Sequence, residues 1–312
     1  MKTAYLFPGQ GAQFVGMGKD IAEQFPQAGV IFEKAGKIAG FDLAKICFDG
    51  PAEKLNTTTI SQPAIFTVSA AILEVLRTNP PAAAALKPGV TAGLSMGEYT
   101  ALYAAGLISF EDALLLVKKR GEAMQAAADA TNGGMVAIIG LDEEKTRSLC
   151  AEAGQGELLE PVNFNCPGQI AISGTKSACR RAEQLAGKYG AMKAIRLEVA
   201  GAFHTSMMSL AAKALGEALA ATKIAEPSDI KVIANINAEY YASAAQIREG
   251  LTKQLVQPIY WQKCVERLFA DGVDTFYEIG PGKVLTGLMR RINRRANITN
   301  VSTADSLKTL AG

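Results

Sequence analysis

The segment "VTAGLSMGEYTALYAAGLI", residues 90–108, constrains the fold more than any other part of the chain. Its centre, from Gly93 to Gly97, matches the pattern G-x-S-x-G around Ser95. A short apolar run precedes the serine and a segment of helical composition follows it, which predicts a strand, a tight turn and a helix. In this context Ser95 is either a strained nucleophile or a small residue in a turn. Because a serine alone is a weak nucleophile at neutral pH, the choice depends on a base.

Short apolar segments alternate with helical patterns along most of the chain, which predicts an α/β fold with a mostly parallel sheet. The run "TAYLF" near the start is a predicted strand, and "KDIAEQFPQAGVIFEKAGKIA" after it has a helical pattern. The alanine-rich "NPPAAAALKPG", residues 79–89, is typical of a connection.

Residues 130–198 have a different texture, in the order strand, helix, strand, strand, helix, strand. This order is the ferredoxin-like pattern. We therefore predict a small ferredoxin-like subdomain over 130–198, inserted into a large subdomain that comprises 1–129 and 199–312. A cleft between the two is the expected place for a substrate.

The composition is that of an ordinary globular protein, with 49% hydrophobic and 20% charged residues. The formal net charge of +2 is far from polybasic, so we expect no nucleic-acid partner. We find no signal-peptide pattern and no segment that approaches the ~20 apolar residues needed to cross a bilayer, so we expect a cytoplasmic protein without membrane contact.

The five cysteines are scattered without C-x-x-C spacing, and an odd count is typical of free thiols in a reducing compartment. The chain has a single histidine, which argues against a Cys/His zinc site. We expect no metal.

His204 is the only histidine in 312 residues, so an imidazole base for Ser95 can only be His204. It lies in "LEVAGAFHTSMM", after a predicted strand and before a helical segment, where α/β enzymes often present catalytic groups. The carboxylates that precede it, Asp129, Asp142 and Glu198, lie in no motif that marks a third triad member.

Arg120 lies in the middle of the apolar face of the helix predicted over "SFEDALLLVKKRGEAMQAAA", whose start has Ser109 and Asp112 in capping-box spacing. A guanidinium that points inward keeps its proton and needs an anionic or carbonyl partner. The helical period alone leaves two partners equally open, a structural carboxylate and the carboxylate of a bound substrate.

The loop "FPGQGAQFVGMG" resembles a nucleotide-binding loop, but Phe14 stands where the third glycine of G-x-G-x-x-G belongs and no Walker lysine follows. Residues 8–11 instead favour a loop that exposes backbone N–H groups, one arm of an oxyanion hole. The N–H of Met96, directly after the serine, is the expected other donor.

The motifs "FPGQGAQ", "GLSMGEYTAL", "KRGEAMQ", "GAFH" and "EIGPGKVLTGL" occur together and in order. In this the chain resembles malonyl-CoA:acyl carrier protein transacylases, from about residue 3 to 292. The resemblance implies an α/β-hydrolase-like large subdomain with the ferredoxin-like insertion. It implies malonyl-CoA and an acyl carrier protein as partners and no cofactor, because coenzyme A is part of the substrate.

The resemblance also implies a role for each matching residue. The implied roles are nucleophile for Ser95, base for His204, backbone oxyanion donors for Gln10 and Met96, substrate contacts for Arg120, Gln62, Phe203 and Met124, and a histidine-orienting backbone carbonyl near Gln254. Arg120 would pair with the malonyl carboxylate, which favours the substrate over a structural partner.

Two positions depart from the fatty-acid members of the family. Leu94 replaces the histidine that commonly precedes the nucleophile, and "GAFH" replaces a loop of small residues. Both variants resemble free-standing acyltransferases of polyketide synthases. Phe203 should crowd a branched acyl chain, which favours malonyl over methylmalonyl.

The predicted reaction is a ping-pong transfer of malonyl from coenzyme A to the phosphopantetheine thiol of a carrier protein, in polyketide or fatty-acid biosynthesis. The alternatives are an acyl carrier protein hydrolase with the same Ser-His pair and a silent docking partner in a synthase. The basic cluster of Arg290, Arg291, Arg294 and Arg295 is either a solvated helix face or a docking site for the carrier protein.

Overall fold

The computed structural model describes residues 2–79 and 87–311. The central part of the predicted connection, residues 80–86, lies outside the described residues. The strands are β1 (Thr3–Phe7), β2 (Val90–Gly93), β3 (Gly133–Ile139), β4 (Leu159–Cys166), β5 (Gln169–Thr175), β6 (Lys193–Arg196), β7 (Lys231–Val232), β8 (Thr275–Ile279) and β9 (Ile298–Val301).

The helices before the small sheet and within it are α1 (Lys19–Gln24), α2 (Pro26–Ala39), α3 (Leu43–Asp49), α4 (Ala52–Leu55), α5 (Thr58–Thr78), α6 (Gly97–Ala104), α7 (Phe110–Asp129), α8 (Glu143–Gly154) and α9 (Lys176–Leu185). Those that follow are α10 (Ser209–Ala221), α11 (Ala244–Gln254), α12 (Trp261–Ala270), α13 (Val284–Ile292) and α14 (Ala304–Ala311). Short 3₁₀ turns span Ala186–Tyr189 and Ser206–Met208.

A parallel five-stranded sheet with the order β7-β2-β1-β8-β9 forms the centre of the large part of the molecule. In its register Phe7, the last residue of β1, pairs with Gly93, the last residue of β2. The loop of residues 8–11 and the turn at Ser95 therefore leave the sheet side by side, at the edge where α/β folds bind ligands.

A second sheet, antiparallel, has the order β4-β5-β3-β6. With α8 and α9 it follows the chain order β3-α8-β4-β5-α9-β6, which is the ferredoxin-like pattern predicted from the sequence. The mixed α/β class is thus confirmed. The limits predicted for the two subdomains, between residues 129 and 130 and between 198 and 199, stay a prediction.

The first long helical pattern is divided into two helices. Phe25 is extended at φ −126°, and Pro26 begins α2, because a proline fits the first turn of a helix but not its interior. The helix that carries Arg120 is α7, and the hydroxyl of its N-cap Ser109 accepts a hydrogen bond from the Asp112 N–H at 3.0 Å, as the capping-box spacing predicts.

Helix α5 corrects one sequence expectation. Its 21 residues are long and apolar enough to cross a membrane by length and composition, whereas we expected no such segment. However, 83% of its most apolar window is buried inside the protein, because α5 packs among α2, α7 and the large sheet. It is a core helix in this structure, and the prediction of no membrane contact stays a prediction.

Candidate active site

Ser95 lies in the turn between β2 and α6 with φ at 51°, in the left-handed region that an L-residue adopts only under strain. The flanking glycines make this turn possible. A Cβ on Gly93 would lie 1.9 Å from the Gly97 carbonyl carbon, and a Cβ on Gly97 would lie 2.2 Å from the Phe7 oxygen. The G-x-S-x-G spacing is therefore a steric requirement of this sharp strand-to-helix turn.

The Ser95 hydroxyl is 3.1 Å from Nε2 of His204, and Nδ1 of the same ring is 2.7 Å from the backbone oxygen of Gln254. A carbonyl oxygen only accepts, so Nδ1 must carry the proton and Nε2 is free to accept from Ser95. His204 also has a left-handed φ, 63°, in the long loop between β6 and α10. The ring thus has the tautomer and the position of a base.

None of the carboxylates considered as a third triad member bonds the imidazole in the described part of the chain. Asp129 accepts a hydrogen bond from Gln125 at 2.8 Å, and Asp142 caps α8. Glu198 lines the wall of the cleft described below. Among the described residues the only hydrogen bond of Nδ1 is the one with the Gln254 carbonyl.

Burial, together with the positive charge of Arg120, lowers the pKa of His204 to about 3. The hydrogen bond to the Gln254 carbonyl acts in the opposite direction, because it stabilises the imidazolium, but it is the weaker influence. The imidazole is therefore neutral near pH 7, as a base must be before it takes a proton.

Arg120 is 1% exposed, and its guanidinium contacts the Ser95 hydroxyl directly. Nη2 donates to the Ser95 hydroxyl at 2.9 Å and to Oε1 of Gln254 at 3.0 Å, and Nη1 donates to Oε1 of Gln62 at 2.8 Å. All three acceptors are uncharged, and Nε has no hydrogen-bond partner in the described part of the chain. Burial lowers the pKa of Arg120, yet a guanidinium keeps its proton in proteins. A buried cation therefore faces the serine without a carboxylate in direct contact.

The backbone N–H groups of Gln10 and Met96 donate no hydrogen bond to any described residue. Gln10 follows β1 and lines the cleft, and Met96 follows the serine at the start of α6. Free N–H groups at the end of a parallel strand and at a helix N-terminus suit a developing oxyanion.

A cleft of ≈420 Å³ opens above Ser95 between the two sheets. Asn163 and Ala171 of the small sheet contribute to one of its walls. Six of the predicted site residues line it: Gln10, Ser95, Arg120, Met124, Phe203 and His204.

The other three predicted residues do not line the cleft. Gln62 is fully buried and contacts the site through Arg120 and, from Nε2, through the Met124 sulfur at 3.5 Å. The Gln254 backbone oxygen bonds the imidazole, and Met96 is buried at the N-cap of α6.

Sequence reasoning missed Glu98, Asn235 and Tyr241. Glu98 is 1% exposed and accepts hydrogen bonds from the Asn235 backbone N–H at 3.0 Å and from the Tyr241 hydroxyl. The acidic residue directly after G-x-S-x-G, in a helix otherwise poor in charge, was the one signal available for it. Asn235 and Tyr241 lie in no motif.

A neutral imidazole 3.1 Å from a serine hydroxyl, with free backbone donors on the other side, can form and cleave an acyl-serine ester. The site is thus that of an acyl-transfer or acyl-hydrolysing enzyme on an α/β fold. The residues present suit this chemistry without a metal or cofactor, and that expectation stays a prediction.

Comparisons with known proteins agree with this class. Residues 4–310 match the model of the acyl transferase domain family. A malonyl CoA-acyl carrier protein transacylase of Bacillus subtilis is 44% identical over 308 residues, 98% of this chain and 95% of the relative. An acyl carrier protein S-malonyltransferase from Vibrio cholerae has a similar crystal structure, with a TM-score of 0.93 and 42% identity over 99% of this chain and 100% of that one.

A third similar structure is a malonyl-transacylase in complex with a type II polyketide synthase acyl-carrier protein, with a TM-score of 0.95 and 39% identity over 100% of this chain and 99% of the other. The chain belongs to the acyl transferase family and is an acyltransferase. The family resemblance inferred from the sequence is confirmed, and the hydrolase alternative is not favoured.

Proposed function

We propose that this protein transfers a malonyl group from malonyl-CoA to the phosphopantetheine thiol of an acyl carrier protein, through an ester on Ser95. The names of the relatives support the substrates, and the contacts around Ser95 support the residue roles. The overall reaction is thioester exchange, so it needs neither an oxidant nor a metal.

In the first half-reaction His204 takes the proton of Ser95 through Nε2, and Oγ attacks the thioester carbonyl carbon. The carbonyl oxygen becomes an oxyanion, which the N–H groups of Gln10 and Met96 stabilise at ~3 kcal/mol per donor. Collapse of the intermediate breaks the carbon–sulfur bond. His204 then returns its proton to the departing coenzyme A sulfur.

In the second half-reaction the carrier thiol occupies the place that coenzyme A has left. His204 removes the thiol proton, and the sulfur attacks the malonyl-Ser95 ester. The same donors hold the second oxyanion, and its collapse returns the proton to Ser95. Two substrates that use one site in turn give ping-pong kinetics.

The burial and the contacts of Arg120 are the main support for a dicarboxylic acyl group as the substrate. It keeps its charge and lines the cleft beside Ser95, and among the described residues it donates only to uncharged acceptors and its Nε has no partner. A free carboxylate on the acyl chain would compensate this buried charge with charge-assisted hydrogen bonds. An acetyl group has no such carboxylate. Arg120 therefore argues against a general acyl hydrolase as well.

Leu94 and Phe203 both line the cleft and are the basis for the finer assignment. We propose that Phe203, 4% exposed next to the base, limits space at the α-carbon and favours malonyl over methylmalonyl. The two residues also favour a polyketide carrier protein as the acceptor of the malonyl group. The expected location of the protein is the cytoplasm. Transfer rates to a polyketide and a fatty-acid carrier protein, compared in one assay, test the pathway.

The basic cluster at the end of α13 is proposed to help dock the carrier protein. Arg290, Arg291, Arg294 and Arg295 are all exposed. Leu288, on the same helix, lines the cleft, so the cluster follows directly after a residue of the cleft. Carrier proteins are usually acidic, and opposite charge speeds encounter.

The test of the proposed function is intact-protein mass spectrometry after mixing with malonyl-CoA or acetyl-CoA, followed by addition of carrier protein. We expect a malonyl mass on the enzyme, loss of this mass when the carrier is added, and malonyl on the carrier. A hydrolase would instead release free malonate or acetate without the carrier, and a silent partner would gain no mass. Either result would contradict the proposal.

A further inference from the structure

Glu98 is a buried carboxylate directly beneath the catalytic turn that has no part in the mechanism above. It lies in the first turn of α6 and is 1% exposed. Oε2 accepts from the Asn235 backbone N–H at 3.0 Å and from Nε2 of Gln254 at 2.9 Å, and Oε1 accepts from the Tyr241 hydroxyl. The carboxylate thus joins two segments that are far from it in sequence.

The first of these segments contains Asn235, whose side chain binds the serine turn. The side chain of Asn235 accepts from the Ser95 N–H at 2.6 Å and donates to the Gly93 oxygen at 2.7 Å. One amide therefore binds the backbone on both sides of Leu94, directly before Ser95 with its strained φ. Its own backbone N–H is bound to Glu98, which fixes the amide relative to α6.

The second segment contains Gln254, which binds both the base and the arginine. The backbone oxygen of Gln254 orients His204, and its side-chain Oε1 accepts from Arg120 at 3.0 Å. The Nε2 of the same side chain donates both to Glu98 and to the backbone oxygen of Ser95, the latter at 3.1 Å. Gln254 therefore contacts nucleophile, base and cation, and its amide orientation depends on an acceptor at Glu98.

We propose that ionised Glu98 is a positioning residue that, through Asn235 and Gln254, holds the serine turn, the His204 tautomer and Arg120 in the arrangement that acylates Ser95. The inference rests on the proposed function for its natural substrate. Three donors, from Asn235, Tyr241 and Gln254, converge on this one carboxylate. A protonated acid has an O–H of its own and is a weaker acceptor for all three.

The charged and titratable groups that face Glu98 come from every element around it: Tyr241 before α11, Arg120 on α7, Tyr99 on α6 and Cys264 on α12. Burial raises the pKa of Glu98 to about 7, against its hydrogen bonds and the charge of Arg120, which lower it. The carboxylate is thus lost as pH falls through about 7, where His204 is still neutral. We therefore assign to Glu98 the acidic limb of the pH profile, which is the loss of Ser95 acylation rate as pH falls.

The test is the single-turnover rate of Ser95 acylation by malonyl-CoA between pH 5.5 and 8, in wild type and Glu98→Gln. Wild type should lose rate below a midpoint near pH 7. The glutamine keeps the shape and one acceptor but cannot titrate. Its rate should be flat with pH and roughly 10- to 100-fold below wild type at pH 8, because small misplacements at a reacting centre have effects of this size.

Tyr241→Phe is the second variant, which keeps the charge and the packing but removes one donor to Oε1. Loss of that donor should raise the Glu98 pKa further, so the acidic limb should move to higher pH. Glu198→Gln is the matched control. It neutralises a carboxylate that lines the cleft but has no hydrogen bond to the serine turn in the described part of the chain, so the pH midpoint should stay that of wild type.

Labelling of Ser95 by a fluorophosphonate probe, which contains no carboxylate, is measured in parallel with the same variants. A flat Glu98→Gln profile with both reagents supports the inference. An unchanged limb in Glu98→Gln, or a limb abolished by Glu198→Gln, overturns it. Normal labelling with the same Glu98-dependent limb but no malonyl adduct would reject the proposed function while the positioning role stands.

Discussion

Two strand-to-helix connections flank β1 in the large sheet, and each has a buried glutamate. After β2 the chain turns through Ser95 into α6, which carries Glu98. After β8, whose residues include Glu278, it turns into α13. Both carboxylates are almost fully enclosed, at 1% and 0% exposure. They differ in where their hydrogen-bond donors come from.

Glu278 binds mostly what is next to it in sequence. It accepts from the backbone N–H groups of Leu285 and Thr286 at 2.8 and 2.9 Å and from the Thr286 hydroxyl at 2.6 Å, so it caps the start of α13. Glu98 instead binds Asn235, Tyr241 and Gln254, which are 137, 143 and 156 residues away. A local cap stabilises one helix, whereas the long-range contacts assemble a site from segments that meet only in the folded chain.

The largest effect is expected at the serine turn. Ser95→Ala removes the nucleophile, so malonyl transfer should fall by at least about 10⁴-fold and no malonyl mass should appear on the protein. Ser302→Ala is a suitable control, since this serine lies beyond β9 near Asn300. It should retain both the adduct and the transfer rate. A malonyl adduct on Ser95→Ala would place the nucleophile elsewhere.

Arg120→Ala should have the next largest effect, and a selective one. Loss of the buried cation should lower kcat/KM for malonyl-CoA by about 10²- to 10³-fold, the size typical of a broken buried ion pair. Transfer of acetyl, which has no carboxylate, should fall much less. Arg120→Lys keeps the charge without the two-pronged donor geometry and should retain part of the preference for malonyl. Equal losses for both acyl groups would instead indicate a structural arginine.

The two connections also differ in how far the sequence predicts them. The turn at Ser95 follows from local rules, because glycines at two fixed positions, an apolar run and a helical segment are all adjacent. His204 follows from being the only histidine, and Arg120 from the helical period. These residues were predictable because each signal lies within one segment or in the composition.

The support for the site was not predictable in this way. No pattern links Glu98 to Asn235 or Tyr241, since the sheet order, not the sequence order, brings them together. The carbonyl of Gln254 is a backbone atom that any residue could supply, so only the family resemblance indicated it. The break before Pro26 was missed although it follows from the local rule for proline, whereas the burial of α5 is decided by tertiary packing.

Unfolding free energies test the two buried glutamates in different ways. Glu278→Gln places an amide N–H against N–H groups that need an acceptor, so it should lose about 1–3 kcal/mol. For Glu98, burial raises the pKa from 4.5 to about 7, so the folded wild type binds more protons than the unfolded chain in this range. Its stability through this group therefore falls as pH rises from 4.5 to 7.

Glu98→Gln lacks this titration, so its unfolding free energy relative to wild type should rise by about 3 kcal/mol across the same pH window and stay constant outside it. Urea unfolding at pH 5 and pH 8 measures both variants. The assignment of this titration to Glu98 would be wrong if the difference in unfolding free energy between Glu98→Gln and wild type were the same at pH 5 and pH 8.

The smallest effect is expected at the end of α13, far from the serine in sequence. Both Arg290 and Arg291 are exposed, but Arg291 donates to Gln169 Oε1 at 3.0 Å and to the Pro167 oxygen at 3.4 Å. Arg290→Glu should therefore raise KM for the carrier protein by a few-fold, about 1 kcal/mol or less, and high salt should remove the difference. Acylation of Ser95 by malonyl-CoA is the internal control and should keep its rate. A higher KM for malonyl-CoA alone would assign the cluster to the coenzyme A phosphates, and an unchanged carrier KM would leave it a solvated helix end.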